Sequence, residues 1–105
     1  NHAGRQFDGA PATIEVLPEI RAATKLPIVF DSGIESGLDI LRALVLGADF
    51  VMLGRAFHFA LAALGTAGPA HLIDMLRLDM TANMGQLGAS RLEDLPAPIT
   101  LPPLT

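Results

Sequence analysis

Two short apolar runs, each closed by a glycine-containing turn and followed at once by a helical pattern, constrain this chain more than any other feature. The first is Pro27-Ile28-Val29-Phe30-Asp31, which leads through Ser32-Gly33 into a helical pattern over 36–46. The second is Ala48-Asp49-Phe50-Val51-Met52-Leu53, which leads through Gly54 into a helical pattern over 55–64. Short apolar runs bounded by turn signals read as buried strands. Strands that alternate with helices pair in parallel through right-handed crossovers, with both faces of the sheet covered. Two such strands leave unpaired backbone groups along both edges. They therefore read as part of a larger α/β sheet or barrel, incomplete as the chain stands.

The flanking segments fit that reading. Residues 1–12 are polar and Gly-rich and read as a loop. A helix is expected over 13–24, with Pro18 near its true start or at a kink. Ser36 with Asp39 three residues later resembles a capping box, and Gly47 is a stop signal. After Gly65–Pro69 a longer helix runs to about Leu87, its apolar face marked by Leu72, Met75, Leu76, Met80, Met84 and Leu87. Gly88 ends it, and Ser90 is placed to cap a short turn through Leu95. Four prolines in the ten residues of 96–105 predict an extended tail.

Composition narrows the function classes. A length of 105 residues suits one domain at most, and 50% hydrophobic residues suffice for a core. A net charge of −4 without a basic run argues against nucleic-acid binding. The absence of cysteine excludes disulfides, thiolate metal sites and cysteine nucleophiles. His58 and His71, without an acid cluster nearby, read as packing or surface residues, and no metal site is expected. Arg55 and His58 interrupt the most hydrophobic region, Phe50 to Leu64, so no membrane span is expected. A start at Asn1 rather than methionine implies a processed N-terminus or a fragment.

In parallel α/β architectures the active site lies beyond the C-terminal ends of the strands. Three segments fall there: the N-terminal loop, Asp31-Ser32-Gly33-Ile34-Glu35, and Gly54-Arg55. Gly33 and Gly54 each join a strand to a helix, where backbone N–H groups and the helix dipole suit an anion such as phosphate. Arg55 adds a forked cation. The same residues also suit plain tight turns and an ordinary ion pair. Asp31 suits either ribityl hydroxyls or loop capping. In the opening loop, His2 and Arg5 lie three residues apart. An imidazole can take a proton near neutral pH and a guanidinium can clamp a carboxylate, although a loop histidine is often an ordinary surface residue.

Taken in order, Asn1-His2-Ala3-Gly4-Arg5-Gln6, Asp8-Gly9-Ala10-Pro11, Asp31-Ser32-Gly33-Ile34, Gly47-Ala48-Asp49 and Gly54-Arg55-Ala56-Phe57 resemble the FMN-dependent 2-hydroxy-acid oxidase/dehydrogenase family. The resemblance implies the C-terminal βα units of a (β/α)8 TIM barrel over residues 1–95, with strands 7 and 8 visible, and a Pro-rich tail over 96–105. His2 would be the catalytic base and Arg5 the ligand of the substrate carboxylate. Asp31, Ser32, Gly33, Ile34, Gly54 and Arg55 would bind FMN. The implied reaction is oxidation of a small, lactate-like L-2-hydroxy acid to the 2-oxo acid, with oxygen, a quinone or a cytochrome as acceptor. A homo-oligomer, a tetramer by resemblance, and a cytoplasmic or peripheral membrane location are also implied.

Departures from the family pattern are specific. Glu35 stands where the family usually has an arginine beside the FMN phosphate. The carboxylate is expected to turn to solvent, to weaken FMN binding or to mark a different ligand. Ala3 replaces a usual glycine, and the family's substrate-binding tyrosines have no counterpart, since the chain has no Tyr. The competing readings are a catalytically inactive truncated fragment and another phosphate-binding barrel, of the inosine-monophosphate-dehydrogenase or type 2 isopentenyl-diphosphate isomerase kind. The latter lack the Asn-His-x-Gly-Arg-Gln loop.

Overall fold

The computed structural model describes residues 3–96. A 3-10 turn at Ala3–Arg5 precedes α1 (Thr13–Ala23), β1 (Val29–Asp31), α2 (Gly37–Val45), β2 (Phe50–Met52), α3 (Arg55–Leu64) and α4 (Gly68–Gln86). Further 3-10 turns lie at Gly65–Ala67 and Leu92–Asp94. The strands are parallel and pair Val29 with Phe50, Phe30 with Val51 and Asp31 with Met52.

Both strands are shorter than the apolar runs that predict them, for a local reason. Pro27 has no N–H to donate. The Ile28 N–H goes to the Asp49 carboxylate at 2.7 Å, and the Ile28 carbonyl accepts from Asp49 and Phe50. The regular ladder therefore begins only at Val29. Arg21 fastens the same end of the sheet. Its guanidinium reaches Asp49 at 3.0 Å and donates to the carbonyls of Thr24 at 2.6 Å and Leu26 at 3.0 Å. The end of α1 is thereby tied to the entry of both strands, opposite the ends where Ser32-Gly33 and Gly54 emerge.

The period-2 alternation of a strand sorts its side chains to two faces. Phe30 turns toward the helices and is buried with Leu17, Ile34, Ile40, Ala43 and Ala48, while Val51, Leu76 and Met80 pack against that cluster. Val29, Phe50 and Met52 turn to the other face and are 57, 64 and 55% exposed. The expectation of a sheet covered on both faces is thus met on one face only, because no described element packs against the second.

Helix ends follow local chemistry. The α1 helix begins at Thr13, where the Glu15 carboxylate accepts the Ala12 N–H at 3.1 Å. Pro18 therefore lies inside the helix, not at its start. At α2 the Ser36 hydroxyl accepts the Asp39 N–H at 3.1 Å, as a cap should. The reciprocal arm differs from a capping box. The Asp39 carboxylate accepts from the Ser36 hydroxyl at 2.9 Å and from the Glu35 N–H at 3.2 Å, one residue beyond the cap's own N–H. Gly47, at φ 115°, ends α2 with paired bonds, its N–H to Leu44 at 3.1 Å and the Ala48 N–H to Ala43 at 3.0 Å, a Schellman closure.

The apolar face of α4 is narrower than expected. Leu76 and Met80 meet the core, but Met75 and Leu87 are exposed. Ser90 does not cap the last turn. Arg91 precedes it, and its guanidinium pairs with Asp94 at 3.3 Å. Contrary to expectation, Arg55–Gln86 taken as one run is long and apolar enough to cross a membrane by length and composition. The backbone divides the run at Gly65, φ 59°, and α3 and α4 pack on each other. The apolar α3 alone rises about 15 Å, half the hydrocarbon thickness of a bilayer.

Candidate active site

The strand register decides where the sequence-predicted residues meet. Asp31 lies opposite Met52, so the Ser32-Gly33 and Leu53-Gly54 turns leave the sheet side by side. Between them opens a cleft of about 480 Å³. Its wall includes Arg5, Asp31, Ser32, Gly33, Ile34, Gly54 and Arg55, so all the candidate residues within the described chain border one space. His2 lies outside the described residues. Arg5 reaches the cleft from the 3-10 turn that follows His2, although 26 residues separate it from Asp31.

Backbone conformation is unusual on one side of the cleft. Ser32 and Gly33 both adopt positive φ, 83° and 79°. An L-residue such as Ser32 is costly there. Its hydroxyl donates to Asp31 at 3.2 Å, which fixes the aspartate side chain at the rim. A Cβ built on Gly33 or on Gly54 would meet no atom within 4 Å. Gly54 has φ −105°, which any residue tolerates, so neither packing nor conformation within the chain demands glycine there. Ile34 borders the cleft while buried in the core.

Gly54 also caps α3. Its carbonyl accepts from Phe57 at 3.1 Å and His58 at 3.2 Å. The N–H groups of Arg55 and Ala56, at the first positions of α3, have no carbonyl four residues back within the helix. They form an electropositive helix end at the cleft. The Arg55 guanidinium extends beside them, 73% exposed, and pairs with Glu35 at 3.6 Å. Glu35 is 75% exposed, so it lies both toward solvent and against the arginine.

Asp39, just behind this rim, has a carboxyl held below its ordinary value. Burial alone would raise it. The Ser36 hydroxyl, the Glu35 N–H and the Arg42 guanidinium together outweigh that effect.

Sequence reasoning did not mark Met52 and Phe59, which form the apolar wall. The signal was present: Met52 alternates away from the half-buried Val51, and Phe59 sits one helical turn after Arg55. A second cleft, of about 670 Å³, lies behind the β1 turn. It shares Ser32, Gly33, Ile34 and Arg55 with the first and adds Thr13, Asp39 and Arg42. His58 and His71 are exposed and line neither cleft. Among the described residues no group of three or more His, Cys, Asp or Glu gathers to hold a metal.

Residues 1–100 match the family described as FMN-dependent dehydrogenase. An L-lactate dehydrogenase of Stenotrophomonas maltophilia (strain K279a) is 50% identical over 97 residues, covering 90% of this chain and 26% of that protein. An L-lactate oxidase of Alicycliphilus denitrificans is 45% identical over 97 residues, covering 90% and 27%. A crystal structure of the monotopic membrane protein (S)-mandelate dehydrogenase superposes with a TM-score of 0.82 at 41% identity, covering 90% of this chain and 26% of that one. The chain thus spans about a quarter of the length of the curated relatives it matches.

Proposed function

The chain belongs to the FMN-dependent dehydrogenase family, and from that membership we propose that it forms the last two βα units of a (β/α)8 barrel that oxidises a small L-2-hydroxy acid to the 2-oxo acid. The carrying observation is that Arg5 and both glycine turns border one cleft at the C-terminal ends of the strands. That rim is where barrel enzymes build their sites. In this reading β1 and β2 are strands 7 and 8, residues 1–95 belong to the barrel and 96–105 are a tail.

The residues present fit the phosphate and ribityl end of FMN. Gly33 and Gly54 leave open the volume that a Cβ would fill. The Arg55 and Ala56 N–H groups, with the Arg55 guanidinium, suit a phosphate. Asp31 suits ribityl hydroxyls, and the Ser32 and Ile34 backbones complete the wall. Glu35 is the exception among them. FMN, when bound, supplies the two-electron acceptor.

Arg5 holds the substrate carboxylate and so fixes the reacting carbon. His2, three residues away in the same loop, takes the proton from the substrate as two electrons leave it. A lactate-like substrate suits the likeness to L-lactate dehydrogenase and oxidase. The electron acceptor is oxygen, a quinone or a cytochrome, and the assembly is a homo-oligomer. The location is cytoplasmic or peripheral to a membrane, and the likeness to a monotopic membrane protein and the exposed apolar residues of α3 are compatible with the latter.

The activity requires the rest of the barrel, so stopped-flow reduction of the complete barrel protein with L-lactate tests this reading. His2→Ala is expected to retain the yellow flavin spectrum and to lose its bleaching by substrate. Unchanged bleaching would remove His2 from the mechanism, and a colourless wild-type protein would remove FMN.

A further inference from the structure

The phosphate end of the cleft is not the cationic pocket that a dianion demands. Among the described residues lining it, the charged ones are Arg5, Arg55, Asp31 and Glu35, and their formal charges cancel. Glu35 acts on this end in two ways. Its carboxylate lies 3.6 Å from the Arg55 guanidinium, the cation best placed for a phosphate. Its backbone N–H, in the turn that leads into α2, already donates to the Asp39 carboxylate at 3.2 Å. The residue therefore brings a negative charge to the rim while its own donor is engaged by another carboxylate.

We propose that Glu35 is a specificity-determining residue that sets this site against a doubly charged phosphate, so that FMN is held less tightly relative to riboflavin, its dephosphorylated form, than it would be with a neutral or basic residue at this position. The inference rests on the proposed FMN site. An exposed ion pair such as Glu35–Arg55 is weak and yields to a stronger anion. FMN therefore still binds, but with a carboxylate left beside its phosphate. Riboflavin lacks the phosphate and is blind to that charge.

The test is a fluorescence-quenching titration of the complete barrel protein with FMN and with riboflavin, for the wild type and for Glu35→Gln, Glu35→Asp and Glu35→Arg. Coulomb repulsion at a solvated rim predicts that Glu35→Gln tightens FMN about tenfold and Glu35→Arg further, with riboflavin moving less than about twofold. Glu35→Asp keeps the charge and should stay near the wild type. The FMN gain of Glu35→Gln should shrink at high salt. Equal FMN affinity for wild type and Glu35→Gln overturns the inference and leaves the proposed function standing. Equal shifts for both flavins also overturn it, since a general structural effect does not distinguish phosphate. Failure of the wild type and of every variant to bind either flavin overturns both.

Discussion

Gly54 and Gly33 border the same cleft for different physical reasons, and alanine at each position separates them. At Gly54 the conformation suits any residue and the added methyl meets no atom of the chain. Gly54→Ala should therefore cost no more than the roughly 1 kcal/mol by which glycine is preferred to alanine at a helix N-cap. It should nevertheless weaken FMN binding, because the methyl enters the volume assigned to the phosphate. At Gly33 the positive φ makes Gly33→Ala cost about 1–2 kcal/mol even though space is open. Thermal melts beside flavin titrations read both quantities. A large stability loss at Gly54 would mean that its glycine serves the fold and not a ligand.

The α2 helix carries the rim, and its first turn sets how firmly the rim is held. Ser36→Ala removes the hydroxyl that accepts the Asp39 N–H and should cost about 1 kcal/mol in urea unfolding. Asp39 adds a pH dependence of known sign. Its folded carboxyl lies below the ordinary value of 3.8, so it binds a proton less readily folded than unfolded. The stability this contributes is present above that value and is lost as pH falls through the lowered folded value. Asp39→Asn should therefore flatten the acid limb of the stability profile. An unchanged acid limb would assign acid unfolding to other carboxylates. The other side of α2 packs closely on α4. A methyl on Gly37 would lie 2.5 Å from the Met80 nitrogen and 2.8 Å from the Leu76 carbonyl oxygen. Both are backbone atoms that cannot swing aside, so Gly37→Ala should cost about 1–3 kcal/mol.

At the scale of the whole molecule, the open sheet face dominates. Val29, Phe50 and Met52 project from it exposed, and among the described residues the two strands have free edges. Apolar strand faces and unpaired edges recruit further strands. The 105-residue chain by itself is therefore expected to associate in size-exclusion chromatography and to bind a hydrophobic dye. Phe50→Ser should reduce both, since it removes the most exposed apolar side chain of the strand pair. A dye-silent monomer would mean that this face is covered in some other way.

The alternation of apolar runs, glycine turns and helical periods determined the βα order, the parallel pairing and the incompleteness of the sheet, because these follow from local periodicity and from backbone groups that need partners. Asp31, Gly33, Gly54 and Arg55 were also singled out from their types and places after the strands, whereas Ser32 and Ile34 entered only through the family resemblance and Met52 and Phe59 not at all. Tertiary structure alone decided three things. The ladder starts at Val29 and not at Pro27, because the Asp49 side chain takes the Ile28 N–H from 21 residues away. Arg5 joins the two glycine turns because the register brings distant loops to one rim, a relation that no spacing along the chain encodes. Glu35 faces Arg55, and whether two charges 20 residues apart attract across a cleft or point apart into water depends on a geometry that exists only once the strands have paired.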